Sequence, residues 1–109
     1  MEQKILLEKI RSQLNRKSYR LRIHTVRHMV EEGFSEKDIV TAVKDGKILE
    51  YYPDDRRCLI LGKFKFGDKA KLPLHVVCDF SNEKSVDIIT AYIPQKPWWT
   101  TPTKRGGKR

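Results

Sequence analysis

The chain has 109 residues and a formal net charge of +9, from 23 Lys and Arg against 14 Asp and Glu. This length fits one domain with a single core and excludes a large active-site cavity between two lobes. Hydrophobic residues make up 39% of the chain, which is enough for a folded core, and the positive charge favours a polyanionic partner, RNA before DNA.

The sequence predicts a cytoplasmic protein without a membrane partner. No segment approaches the length of a membrane span, and residues 1–14 carry too many charges for a signal peptide. Cys58 and Cys78 stand apart without a CxxC pair, so we expect reduced thiols that pack in the core.

The first half of the chain shows the spacing of helices. Hydrophobic residues recur every three or four positions, and Gly33 and Gly46 are suited to end the second and third helix. Ser35 and Asp38 have the spacing of a capping box at the start of the third. The predicted helices span about residues 2–14, 20–32 and 36–45.

After Gly46 the spacing of hydrophobic residues changes to two, which is typical of strands. Leu74, Val76 and Cys78 share the face that we expect beneath the helices, and His75 points the other way. The fold class predicted is α+β, with N-terminal helices packed on one face of a four-stranded antiparallel sheet. The predicted strands span about residues 48–52, 57–61, 72–80 and 86–93.

Residues 1–95 are expected to form this single domain, followed by a mobile basic tail, residues 96–109, anchored by Trp98 and Trp99. The tail holds five basic residues and no acid, whereas residues 1–22 hold seven basic and two acidic residues. The excess positive charge therefore lies at the two ends. In the tail, Lys104 and Arg105 are candidates for contacts with phosphate.

Two of the three histidines, His24 and His28, are four residues apart on one side of the second helix. RNA cleavage requires removal of the 2′-OH proton and protonation of the departing 5′-oxygen, and histidine does both near neutral pH. Two histidines at this spacing can also supply half of the ligands of a zinc site. The glutamate of the HExxH motif is missing, however, so we expect neither metal nor cofactor. Surface histidines without a partner remain an alternative, and a structural metal site with a cysteine is a weaker one.

Further candidates come from the strands and from arginines. His75 and Tyr92 could place an imidazole and a phenol in one region, although both residues also fit ordinary strand positions. Guanidinium groups bind two phosphate oxygens at once. The candidates for holding phosphate are Arg27, Arg56 and Arg57.

A series of short fragments in residues 20–99 resembles a prokaryotic family of uncharacterised domains. That family is similar to the RelE-like and BrnT-like ribonuclease toxins. The fragments are His24-x3-His28-Met29-x3-Gly33-Phe34-x4-Ile39, Gly46-x-Ile48-x-Glu50-x-Tyr52-Pro53, Arg57-Cys58-Leu59-x-Leu61-Gly62, Pro73-Leu74-His75-Val76-Val77 and Ile89-Thr90-x-Tyr92-x-Pro94.

The resemblance implies a RelE-like α+β fold with a curved sheet. It also implies metal-independent cleavage of mRNA, free or on the ribosome, by a toxin that a small antitoxin of zinc-finger type restrains. The resemblance further implies that many relatives have Arg at the positions of His28 and Glu32. The expected catalytic residues are His24, His28, His75, Arg57 and Tyr92, and the expected substrate-binding residues are Arg27, Arg56, Lys104 and Arg105. The alternative is a non-catalytic RNA- or protein-binding module of the same fold.

Overall fold

The computed structural model describes residues 2–68 and 70–106 and confirms an α+β fold. The helices are α1 (Gln3–Asn15), α2 (Ile23–Glu32) and α3 (Glu36–Lys44), and a short 3-10 helix covers Pro53–Asp55. The strands are β1 (Tyr19–Leu21), β2 (Lys47–Tyr52), β3 (Arg57–Phe66), β4 (Ala70–Asp79), β5 (Val86–Tyr92), β6 (Trp99–Thr101) and β7 (Lys104–Arg105). Within the described part of the chain, no helix is both long and apolar enough to cross a membrane.

The main sheet has five strands in the order β1-β5-β4-β3-β2, and it is mixed. The four predicted strands pair antiparallel, but β1 adds a fifth strand, parallel to β5, so the sheet is not the purely antiparallel one that was expected. β1 has only three residues, and the sequence prediction assigned two of them, Arg20 and Leu21, to the start of the second helix. Helix α2 therefore begins at Ile23 and not at residue 20.

Strand β3 is longer than predicted, because it continues past Gly62 to Phe66. A Cβ at Gly62 would lie 2.0 Å from the carbonyl oxygen of Ala42, so the glycine lets α3 lie directly against the sheet. A glycine inside a strand often marks such a close approach, and the prediction treated it as the end of the strand. β4 likewise begins earlier than predicted, at Ala70, and ends at Asp79.

The core lies between the sheet and the helices α1 and α3. Cys58 and Cys78 are fully buried there, opposite one another on β3 and β4, as free thiols, which confirms their predicted packing role. The hydrogen bond between the two thiols and their burial raise the pKa of Cys78. Other fully buried core side chains are Leu6, Ile10, Ala42, Val43, Ile60, Leu74, Val76 and Ile88.

The predicted helix ends are confirmed where local chemistry decides them. The Ser35 hydroxyl accepts from the Asp38 N–H, and the Asp38 carboxylate accepts from the Ser35 N–H, so the capping box is complete. Gly33 ends α2 with a left-handed φ of +85°. Arg11 of α1 donates to the carbonyl oxygens of Val43 and Gly46, at 3.0 and 2.7 Å, and joins α1 to the end of α3.

The segment predicted as a tail contains a small hairpin of β6 and β7. Trp99 is only 3% exposed, whereas Trp98 is 68% exposed, so Trp99 is the anchor of this segment and Trp98 is not. The carbonyl oxygen of Pro102 lies 2.7 Å from Nε2 of His75, which places the hairpin on the sheet face opposite α1 and α3. The prediction of a mobile tail is therefore corrected for the residues of β6 and β7, which form strands. Residues 107–109 of the predicted tail lie outside the described residues.

Candidate active site

A cleft of about 400 Å³ opens between α2, the end of β5 and the β6–β7 hairpin. Its wall combines an imidazole, a carboxylate, a phenol, a guanidinium and two indoles. The residues that line it are His28, Glu32, Tyr92, Ile93, Gln95, Trp98, Trp99 and Arg105.

Helix α2 lies along the edge of β5 that extends beyond the short strand β1. The Thr25 hydroxyl donates to the carbonyl oxygen of Ile88 at 2.9 Å, and the N–H of Ile93 donates to Oε1 of Glu32 at 2.8 Å. These two hydrogen bonds attach both ends of α2 to β5. They fix which side of the helix faces the cleft.

His28 and Glu32 form a hydrogen-bonded pair on that side of α2. Nδ1 of His28 lies 2.6 Å from Oε2 of Glu32, while the other carboxylate oxygen is held by the Ile93 N–H. Within the described residues, Nε2 of His28 has no hydrogen-bond partner. A carboxylate on Nδ1 orients an imidazole and selects the tautomer whose Nε2 accepts a proton. The pair therefore has the arrangement of an oriented general base.

His75 lies beneath the cleft and is fully buried. Its Nδ1 is 3.3 Å from the Tyr92 hydroxyl, its Nε2 is 2.7 Å from the Pro102 carbonyl oxygen, and its ring meets Trp99 edge-on at 4.3 Å. The side chain points away from the core helices as predicted, but the hairpin covers it. Both ring nitrogens are used inside the protein, so His75 does not face the cleft, and its expected catalytic role stays a prediction.

Burial also changes the pKa values of His75 and of its neighbour Tyr92. It lowers the pKa of His75, against the opposing effects of the Pro102 carbonyl and the Glu50 carboxylate. Burial raises the pKa of Tyr92. The phenol therefore keeps its proton at neutral pH, and His75 tends to remain neutral.

The lowered pKa of His75 predicts a pH-dependent stability. The unfolded chain takes up a proton at His75 before the folded protein does, so the free energy of unfolding falls as the pH drops through the unfolded value of about 6.5. Urea unfolding at a series of pH values should show a weaker loss in His75→Gln than in the wild type. His24→Gln, at an exposed histidine, is the control, and an identical pH dependence in all three proteins would contradict the expectation.

Arg105 borders the cleft and is held in place by Glu50. Its Nε and Nη2 donate to the two carboxylate oxygens at 3.1 and 2.9 Å, and its guanidinium lies 4.6 Å from the centre of the Trp99 ring. Arg105 lowers the pKa of Glu50, and the hydrogen bond to Glu50 raises the pKa of Tyr52. A guanidinium has five N–H donors, of which Glu50 uses two and Tyr52 another, so Arg105 retains donors for a phosphate.

The structure gathers only part of the predicted site. His28, Tyr92 and Arg105 line the cleft, and His75 lies beneath it. The other predicted residues are exposed and do not line it. His24 and Arg27 lie elsewhere on α2, Arg57 pairs with Asp79 at 3.0 Å, Arg56 lines a different pocket, and Lys104 is on β7.

Sequence reasoning missed Glu32 as a member of the site and, for both tryptophans, favoured anchoring over the stacking of bases. A signal for Glu32 was present, because it follows His28 by four residues, the distance of neighbours on one helix face. Glu50 and Trp99 had no such signal. Their contacts with Arg105 and His75 join segments far apart in the chain.

Residues 21–93 match a family described as a domain of unknown function, DUF4258. No curated protein and no solved structure matches the chain. Across the described residues there is no group of three His, Cys, Asp or Glu side chains placed to hold a metal ion. The family match contains His28, Glu32 and Tyr92 and ends before the hairpin that carries Trp99 and Arg105. Because the match covers more than half of the chain, the protein belongs to the DUF4258 family.

Proposed function

We propose that this protein is a metal-independent endoribonuclease that cleaves single-stranded RNA. The observation that carries the proposal is the His28–Glu32 pair, with its 2.6 Å hydrogen bond, on the wall of an open cleft. Nε2 of His28 accepts the proton of a ribose 2′-OH, and O2′ attacks the adjacent phosphorus. The bond from phosphorus to O5′ breaks, which leaves a 2′,3′-cyclic phosphate and a 5′-hydroxyl end.

Three neighbours supply the remaining functions. The Tyr92 hydroxyl, whose ring centre is 6.4 Å from that of His28, turns from Nδ1 of His75 and donates its proton to the departing O5′. The free N–H groups of Arg105 stabilise the negative charge that develops on the phosphate oxygens. The exposed indole of Trp98 offers a stacking surface for a base.

The biological role is part of the proposal and rests on the resemblance of the sequence to RelE-like and BrnT-like toxins. The protein acts in the cytoplasm on mRNA, as the toxin of a toxin–antitoxin pair. A small antitoxin of zinc-finger type restrains it. The basic ends of the chain suit either polyanion, RNA or an acidic partner protein.

The test uses the purified full chain with a short labelled RNA and with a DNA of the same sequence, both in excess EDTA. We expect cleavage of the RNA and not of the DNA, since only RNA has the 2′-OH nucleophile. Binding of the RNA without cleavage would overturn the proposal and favour the alternative, a non-catalytic RNA-binding module.

A further inference from the structure

A second groove, of about 550 Å³, lies between the end of α3, the start of β2 and the hairpin of β3 and β4. Four lysines line it, and Asp45 is the one carboxylate among its described lining residues. We call this surface the lysine groove. Its lysines are Lys47, Lys63, Lys65 and Lys71.

The strand register places these lysines on one face of the sheet. Lys65 lies directly opposite Lys71 on the neighbouring strand, and Lys63 is two residues before Lys65. Residues two apart in a strand share a face. Lys47 lies directly opposite Leu61, and Leu61 is two residues before Lys63 on β3. The side chains of all four lysines therefore belong to the sheet face opposite α1 and α3.

The lysines of the groove have no anionic partner within the described residues. None of the four takes part in the ion pairs of the described chain, all of which involve other basic residues. Lys65 and Lys71 lie directly opposite one another, and like charges in such positions destabilise a sheet. An anion bound between them removes that repulsion.

The groove also contains a free strand edge. The pairing of β2 with β3 ends at Leu61, so among the described strands none pairs with β3 on that side from Gly62 to Phe66. Free backbone N–H groups add donors for an anion. Lysines on an exposed edge also serve a different purpose in many proteins, where they prevent strand pairing between molecules. Loss of the lysines would weaken RNA binding if they bind an anion, and would cause self-association if they prevent strand pairing.

The four lysines lie on the same sheet face as Tyr92 and His75 of the candidate active site, and Thr41 and Asp45, at the α3 side, also line the groove. Tyr92 is opposite His75, which is opposite Leu61, and Lys63 lies two residues further along β3. The Lys63 backbone is therefore separated from that of Tyr92 by two strand spacings across the sheet, about 10 Å, and by two residues along the strand, about 7 Å. An extended RNA strand spans this separation within a few nucleotides.

We propose that the lysine groove binds backbone phosphates of single-stranded RNA that extends from the cleft. The choice of RNA as the ligand rests on the proposed function. Lysines bind phosphate as point charges without reading sequence, so the groove adds affinity and orientation rather than base specificity.

The test compares two triple variants that lose the same charge. The groove variant is Lys63→Gln, Lys65→Gln and Lys71→Gln, and the control, at exposed lysines outside the groove and the basic ends, is Lys37→Gln, Lys44→Gln and Lys84→Gln. The probe is a fluorescent 2′-O-methyl RNA, and anisotropy measures binding over a range of salt. We expect the groove variant to bind about 100-fold more weakly at 0.1 M salt, with a salt slope smaller by about 2. The control should stay close to the wild type.

Three results would overturn the inference. They are equal affinity in the groove variant and its control, self-association of the groove variant with unchanged RNA affinity, and no binding of the probe by the wild type. The probe has no 2′-OH to react, so binding is measured apart from cleavage. If only the groove variant loses binding and the wild type cleaves no RNA, the inference about the lysine groove stands and the proposal of a ribonuclease is overturned.

Discussion

Replacement of His28 by alanine is expected to lower the rate of RNA cleavage by about 100-fold or more, the usual contribution of a positioned general base. His28 is the histidine that lines the cleft and is oriented by a carboxylate. His24→Ala, at an exposed position one turn earlier on the same helix, should leave the rate unchanged. Single-turnover rates at saturating protein concentration measure this difference.

The control for this comparison is thermal unfolding of both variants, which should match the wild type. Glu32→Gln adds a second control, because an amide oxygen still accepts from the Ile93 N–H but no longer carries the charge that orients the imidazole. We expect an intermediate loss of rate in Glu32→Gln. A large loss in His24→Ala, with none in His28→Ala, would show that the base is misassigned.

Replacement of Trp99 by alanine is expected to lower the free energy of unfolding by about 3–5 kcal/mol, the cost of removing a large buried aromatic side chain. Trp99 packs against the ring of His75 and beneath the guanidinium of Arg105. Trp98→Ala removes an identical side chain that is exposed, and the expected change is within about 0.5 kcal/mol. Urea unfolding of the two variants measures both values.

The pair of tryptophan variants distinguishes a packed hairpin from a mobile tail. In a mobile tail neither indole would be buried, and both substitutions would have small and similar effects on stability. That result would contradict the packing of β6 and β7 over His75. A loss confined to Trp99→Ala would support it.

The parts of the fold that could be predicted are those that local chemistry decides. The capping box of Ser35 and the left-handed Gly33 determine helix ends through bonds within a few residues. The alternation of strand residues also predicted the buried face of β4, including Cys78. Parallel pairing of β1 with β5 was not predictable in this way, because it joins Tyr19 to Val86 and involves only three residues.

The candidate site shows the same limit. The spacing of His24 and His28 identifies one side of α2, but only the hydrogen bonds between α2 and β5 decide which of the two faces the cleft. His75 has the orientation that strand alternation predicts. Its burial depends on Trp99, which is distant in sequence and whose position no local pattern gives.

The chemistry of the fragment ends tests the central claim most directly. Mass spectrometry of RNA fragments made in EDTA should show 2′,3′-cyclic phosphate and 5′-hydroxyl ends with the wild type and, in the same reaction time, about 100-fold fewer such fragments with His28→Ala. Fragments that end in a 3′-hydroxyl and a 5′-phosphate would contradict it, as would cyclic phosphate ends that form equally fast without His28.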